Sequence, residues 1–200
     1  MNNKNRATVT VALIIINVLY FIFLTAKGGT EDAELMLKWG AAYTPYILED
    51  HQYWRLLVSC FMHFGISHIV NNMLVLYILG DNLERALGHV KYLIFYLLCG
   101  IGANVFSMYV NINSNNYAVG AGASGAIFGV MGGLLWAVLL NRGQLEDISA
   151  RQLVIMLLFS LYYGFASGGI DNAAHIGGLM IGFVLSMLMY RRRRRRSWRF

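Results

Sequence analysis

Charged residues are scarce in this chain of 200 residues. Lysine, arginine, aspartate and glutamate make up 13% of it, against roughly 25% in typical soluble domains. Hydrophobic residues reach 58%, and there is a single proline, Pro45. So few charges could not cover the surface of a soluble globule of this size. The composition therefore excludes an ordinary soluble domain and predicts a polytopic membrane protein.

Cysteine is almost absent as well. Only Cys60 and Cys99 are present, and both lie in apolar stretches, where we interpret them as buried small hydrophobic residues. Two such residues cannot form a disulfide framework.

Missing residues also exclude several chemistries that operate inside membranes. The chain contains no His-Glu-x-x-His zinc motif. No lysine falls within the second to sixth predicted spans, which excludes a Ser–Lys pair there. An aspartyl dyad needs two carboxylates that meet, whereas Asp81 and Asp171 lie on opposite sides of the predicted bundle. The spans also lack the charged pathway of a transporter or channel. We expect no metal and no cofactor.

Five uncharged stretches define the predicted spans. They run from Ala7 to Ala26, Leu56 to Gly80, Tyr92 to Asn141, Gln152 to Ile170 and Asn172 to Tyr190. About 20 apolar residues cross a bilayer as a helix, so the longest stretch counts as two spans, divided by the polar run 111–116. The sequence therefore predicts an all-α protein with one six-helix domain over residues 1–200. The predicted helices cover about 8–26, 67–87, 92–110, 124–140, 151–167 and 173–190, followed by a basic tail at 191–200.

The distribution of lysine and arginine predicts the orientation. With a cytoplasmic N-terminus, 13 of the 16 basic residues lie inside, and only Lys27, Lys38 and Arg55 lie outside. We therefore expect both termini in the cytoplasm of a multi-pass cell-membrane protein. A cleaved signal peptide is the less favoured interpretation of the first span, because its apolar run is longer than a usual signal core. The arginine run 191–196 predicts contact with anionic lipid rather than with nucleic acid.

Four polar residues share one depth in this topology. His68 and Asn72 open the second predicted span, Ser124 opens the fourth and His175 opens the sixth, all near the outer face. His68 and Asn72 are four residues apart and share a helix face. Ser124 lies in the glycine-rich turn 120–125, which leaves its hydroxyl accessible. His175 could act as its general base, with His68 and Asn72 as donors to an oxyanion.

Each of these residues alone has a structural interpretation, as a packing serine, an interfacial histidine or an asparagine that joins helices. Their joint placement is what favours catalysis. Two rows of small residues at spacing four also predict that the fourth and sixth spans pack together. The rows are Gly125, Gly129 and Gly133, and Ala174, Gly178, Gly182 and Ser186.

The motifs together resemble those of the rhomboid intramembrane serine proteases. The matching segments are Gly122-Ala123-Ser124-Gly125, His63-x4-His68-x3-Asn72, Trp54-Arg55 and Ala174-His175-x2-Gly178-x3-Gly182. The resemblance covers about residues 8–190, in the order of the family, and suggests the minimal six-helix core form. It departs at Phe128, where a tyrosine often lies beside the catalytic histidine.

The resemblance implies an endopeptidase that cleaves transmembrane segments of other membrane proteins near the outer face. Ser124 would be the nucleophile, His175 the base, and His68 and Asn72 with backbone amides the oxyanion donors. It also implies a structural role for Trp54-Arg55. The alternative is a non-catalytic rhomboid-like protein that binds client transmembrane helices. Asp171 has two interpretations: a helix cap, which we favour, or a third catalytic residue behind His175.

Overall fold

The computed structural model describes residues 7–145, 147–166 and 169–191, and most of this part is helical. Within these ranges, six long apolar helices form a bundle. They are α1 (Thr8–Lys27), α5 (Gly65–Leu87), α6 (His89–Ser114), α7 (Ser124–Leu140), α8 (Ala150–Ala166) and α9 (Asn172–Met189). The connection between α1 and α5 contains the short helices α2 (Ala33–Trp39), α3 (Thr44–Leu48) and α4 (Arg55–Val58), then a 3-10 turn (Ser59–Phe61). Strands β1 (Gln144–Leu145) and β2 (Ile148–Ser149) form an antiparallel hairpin.

Among the described residues, three helices are long and apolar enough to cross a membrane: α1, α6 and α9. Helix α5 makes a fourth when it is joined to the segment Arg55–Phe61, from which it turns by 90°. Helices α7 and α8 are apolar but have 17 residues each, or roughly 26 Å at 1.5 Å per residue. Length therefore supports fewer spans than the six that the sequence predicts.

Several helix ends differ from their predicted positions, most of all in α6. The sequence predicts that its polar end lies outside the helix, but Asn113 and Ser114 donate side-chain hydrogen bonds to the carbonyls of Tyr109 and Val110. Such bonds to the preceding turn keep the polar residues helical, and Asn115 then ends the helix with a φ of 50°. At the other end, α6 includes Lys91. The expectation that no lysine lies within these helices is therefore wrong.

The position of Lys91 nevertheless excludes a Ser–Lys pair with Ser124. Lys91 lies in the first turn of α6, about 24 Å along the helix axis from Ser107, which lies near the start of α9. Most of the predicted basic tail at 191–200 lies outside the described residues.

A buried arginine organises the connection between α1 and α5. Arg55 is 4% exposed, and its guanidinium donates to the carbonyls of Leu37 and Ala41 and to Gln52 Oε1, at 2.6, 3.0 and 2.7 Å. It also packs on the ring of Trp54, 4.7 Å from its centroid. These bonds hold the start of α4 against α2 and the residues that follow it. They confirm the structural role that the resemblance implies for Trp54-Arg55.

Helices α7 and α9 pack in parallel with their backbones in contact. A Cβ atom at Gly178 would overlap the carbonyl oxygen of Gly125, and one at Gly182 would overlap that of Gly129. One turn further, Ser186 donates a 3.0 Å hydrogen bond to the carbonyl of Gly133. The predicted pairing of the two small-residue rows is therefore confirmed, and its four-residue register fixes how the starts of the two helices face each other.

Helix α1 is held at its beginning by a carboxylate from α5. Glu84 is buried and accepts hydrogen bonds from the backbone N–H groups of Val9 and Thr10 and from the Thr10 hydroxyl. His89 Nδ1 also lies 2.5 Å from the carboxylate. Because the cap residue Ala7 offers no side-chain acceptor, Glu84 satisfies amides that would otherwise be unpaired.

Candidate active site

Helices α5, α7 and α9 all begin at one end of the bundle, called the Ser124 end below. Ser124 is the first residue of α7, and the turn before it is held from two sides. Gly122 donates its N–H to the Ser59 carbonyl, and Gly120 pairs with Ala42 through two 2.8 Å backbone hydrogen bonds. The serine hydroxyl is therefore presented by a fixed turn at a helix N-terminus, where unpaired N–H groups collect.

His175 lies in the first turns of α9, beside α7. Its ring stacks on Phe128 with the centroids 4.2 Å apart and the planes 11° from parallel. The preceding residue, Ala174, faces Gly125, the residue after Ser124, at 3.7 to 3.8 Å from the Cβ position of that glycine. The chain neighbours of Ser124 and His175 therefore lie next to each other. The expectation that Phe128 lies against this histidine is confirmed.

The far side of the His175 ring faces α8. Its Nδ1 atom is buried and has no hydrogen-bond partner among the described residues, and it lies 3.6 Å from where a Cβ of Gly164 would stand. Asn172 closes the same corner by donating to the Gly164 carbonyl at 2.9 Å. The imidazole is therefore oriented by packing against Phe128 and α8.

His68 and Asn72 lie on one face of α5. Gly122 has a φ of +149°, and a Cβ atom there would stand 3.0 Å from His68 Nε2 and 3.5 Å from Ser124 Oγ. The imidazole and the hydroxyl therefore approach the same point. Asn72 is 9% exposed, and its Nδ2 atom is one of the buried polar atoms without a partner in the described part of the chain. An unsatisfied buried donor of this kind is costly unless water or a ligand supplies the acceptor.

His63 is part of this site, and the sequence analysis did not assign it a role. Its ring is fully buried, accepts the Ala123 N–H at Nε2 over 3.4 Å and meets the His68 ring edge to face, 5.1 Å between centroids. The spacing of five residues puts the two histidines on different helix faces. They meet because His63 precedes α5 and the chain turns there, which helical periodicity does not reveal.

Asp171 is the N-cap of α9. Its Oδ1 accepts the N–H of Ala174 at 2.8 Å, and its Oδ2 accepts the hydroxyl of Ser107 at 2.5 Å. Neither carboxylate oxygen reaches His175 Nδ1, which has no partner among the described residues. The cap interpretation is therefore the one that the geometry favours. Within the described ranges, no group of three or more histidine, cysteine or acidic side chains could hold a metal ion.

Comparison with known proteins matches this arrangement to one family. The family model of the rhomboid domain matches residues 50–192. Rhomboid protease GluP of Bacillus subtilis is 35% identical over 90% of this chain, which spans 34% of the length of that relative. Rhomboid protease AarA of Providencia stuartii is 31% identical over 89% of this chain and 71% of its own length.

A plant relative shows the same similarity. RHOMBOID-like protein 2 of Arabidopsis thaliana is 35% identical over 76% of this chain and 47% of its own length. The matched region contains His68, Asn72, Ser124 and His175, and its apolar helices indicate a multi-pass integral membrane protein. This chain belongs to the rhomboid family.

Proposed function

We propose that the protein is an intramembrane serine endopeptidase with a Ser124–His175 dyad. Its six long helices form one domain that crosses the membrane six times, with both termini in the cytoplasm of a cell membrane. The Ser124 end then faces outward. The distribution of basic residues supports this orientation, and relatives that are named rhomboid proteases support the activity.

Acylation is the first half of the proposed reaction. Ser124 Oγ attacks the carbonyl carbon of the scissile bond while His175 takes up the hydroxyl proton. The resulting imidazolium then donates this proton to the nitrogen of the leaving peptide, and the C–N bond breaks. In the second half, a water molecule that enters from the Ser124 end gives a proton to His175 as its oxygen attacks the acyl carbon. The imidazolium then returns the proton to Ser124 Oγ, and the ester C–O bond breaks. Because Nδ1 faces Gly164, Nε2 is the ring atom that carries the transferred proton.

The oxyanion of each tetrahedral intermediate has donors on two helices. His68 and the Asn72 amide are the donors from α5. The backbone N–H groups at the start of α7, next to the serine, are the donors from the second helix. The macrodipole of α7 favours negative charge at the same place. The observation that carries the assignment is the convergence of His68 and Ser124 on one point above Gly122, together with the Asn72 Nδ2 atom, which is buried without a partner in the described part of the chain.

The substrates are transmembrane segments of other membrane proteins. A peptide bond within a bilayer is normally held in a helix, with its carbonyl hydrogen-bonded and shielded. A cleavable segment must therefore unwind near its outer end, where small or helix-weakening residues lower the cost. Anionic lipid at the arginine run 191–196 would anchor the opposite side.

The function is tested by co-reconstituting the chain with a single-span membrane protein whose outer end carries glycine and serine. We expect two fragments cut near that end, and a second substrate with leucine at the same positions should be cleaved much more slowly. Intact substrate after long incubation with folded protein would contradict the proposal and favour the client-binding alternative.

Asn72→Ala tests the oxyanion assignment. Removing one donor should lower kcat by about 10²-fold with little change in KM, because the amide binds only the charge that develops in the transition state. The control is Asn113→Ala, which removes an exposed amide at the end of α6. Unchanged turnover in Asn72→Ala would remove this residue from the oxyanion site.

A further inference from the structure

The end of α6 and the start of α9 are linked through one carboxylate, which also lies beside the turn before Ser124. Asp171 is half-buried and uses both oxygens for different elements: Oδ1 accepts from the N–H of Ala174 in α9, and Oδ2 accepts from the hydroxyl of Ser107 in α6. Ser107 is 5% exposed. The bond between them joins residues that are 64 positions apart, so it fixes one helix against another.

This carboxylate acts directly on the turn that carries His175. The backbone carbonyl of Asp171 accepts the N–H of His175 at 3.2 Å, so cap and histidine belong to the same helical turn. Asp171 Oδ2 also lies 3.8 Å from the Cβ position of Gly120, the residue whose backbone pairs with Ala42. Loss of the cap would free the first turn of α9. Among the described residues none bonds to Nδ1, so the ring would then be restrained by its packing against Phe128 and α8 without a fixed backbone beneath it.

We propose that Ser107 and Asp171 form a latch that positions His175 for proton transfer. Both are positioning residues, because their contacts reach the histidine only through the first turn of α9. The latch rests on the proposed function and adds to it the reason why a dyad without a third residue keeps its base oriented. It acts by hydrogen bonding and not by charge, so an uncharged acceptor of the same shape should replace Asp171.

Four variants test the latch by kcat and KM on a reconstituted transmembrane substrate. Asp171→Ala should lower kcat by about 10- to 100-fold at unchanged KM, since misplacing a catalytic group by about 1 Å can cost 10²-fold. Asp171→Asn should stay within about tenfold of wild type, because asparagine caps helices as well as aspartate does. Ser107→Ala should lower kcat by about threefold to tenfold. The double variant Ser107→Ala/Asp171→Ala should have a kcat only slightly lower than that of Asp171→Ala, because the two residues share one interaction.

The matched control is Asp32→Ala. Asp32 caps α2 in the same way, with its carboxylate accepting from Glu34 and Leu35, but it lies in the connection after α1. Its removal should leave kcat unchanged. An equal loss of kcat in Asp32→Ala would show a general effect of cap removal and overturn the latch.

Two other outcomes would overturn it. Wild-type kcat in both Ser107→Ala and Asp171→Ala would show that the bonds do not position the histidine. A loss of about 10³-fold or more in Asp171→Asn would show that the negative charge itself is required, as for a triad acid. Ser124→Ala in the same assay separates the two hypotheses: if it still cleaves, the proposed function fails, and if it is inactive, only the latch is at stake.

Discussion

Ser124→Ala and His175→Ala are each expected to lower cleavage of a transmembrane substrate by about 10⁴-fold or more. The first variant removes the attacking oxygen and the second removes the proton acceptor, while little packing volume is lost at Ser124. Both proteins should remain folded. Turnover is measured in proteoliposomes at matched amounts of folded protein, with the melting temperature in detergent as the check on folding.

Serine and histidine residues outside the site provide the controls. Ser114→Ala changes an exposed serine at the end of α6, and His51→Ala changes an exposed histidine in the connection after α1. Both should cleave at the wild-type rate. If either Ser124→Ala or His175→Ala keeps near-wild-type turnover, the dyad is wrong.

Gly182→Val is expected to reduce stability and activity together. Even a Cβ atom at this position would overlap the carbonyl oxygen of Gly129, so valine must push α9 away from α7. Overpacking of this kind typically costs about 1–3 kcal/mol. Because α9 also carries His175, the displacement should lower kcat by about 10²-fold or more. Gly178→Val should act in the same way through the carbonyl of Gly125.

Met180→Val is the matched control for this effect. It introduces the same β-branched residue into α9, at a position that is 55% exposed and faces away from α7. Its melting temperature should stay close to that of wild type. A melting temperature of Gly182→Val equal to that of Met180→Val would mean that the glycine row does not lie at the helix contact.

The helices and their closest contact could be predicted because their signals are local or periodic. Spacing four puts Gly125, Gly129 and Gly133 on one face of α7, and the matching row on α9 could then be expected to meet it. The shared depth of Ser124 and His175 followed from the order of the spans. Such patterns need no knowledge of tertiary structure.

Contacts between distant side chains could not be predicted in this way. In the sequence, Glu84 is an acidic residue near the end of a predicted helix. Only the packing of α5 against α1 brings its carboxylate into hydrogen bonds with the first backbone N–H groups of α1. His63 meets His68 because the chain turns before α5. No spacing pattern in the sequence pairs Ser107 with another residue. Its bond to Asp171 depends on how α6 and α9 pack against each other. Polar contacts of this kind are fixed by the fold as a whole.

Labelling with a serine-directed fluorophosphonate tests whether Ser124 is an activated nucleophile, and it requires no knowledge of the substrate. The purified protein in detergent is labelled, digested and mapped by mass spectrometry, beside Ser124→Ala and His175→Ala. We expect a single adduct on Ser124 in the wild type, none in Ser124→Ala, and labelling that is slower by orders of magnitude in His175→Ala. Equal labelling of wild type and Ser124→Ala would contradict the assignment of Ser124 as the nucleophile.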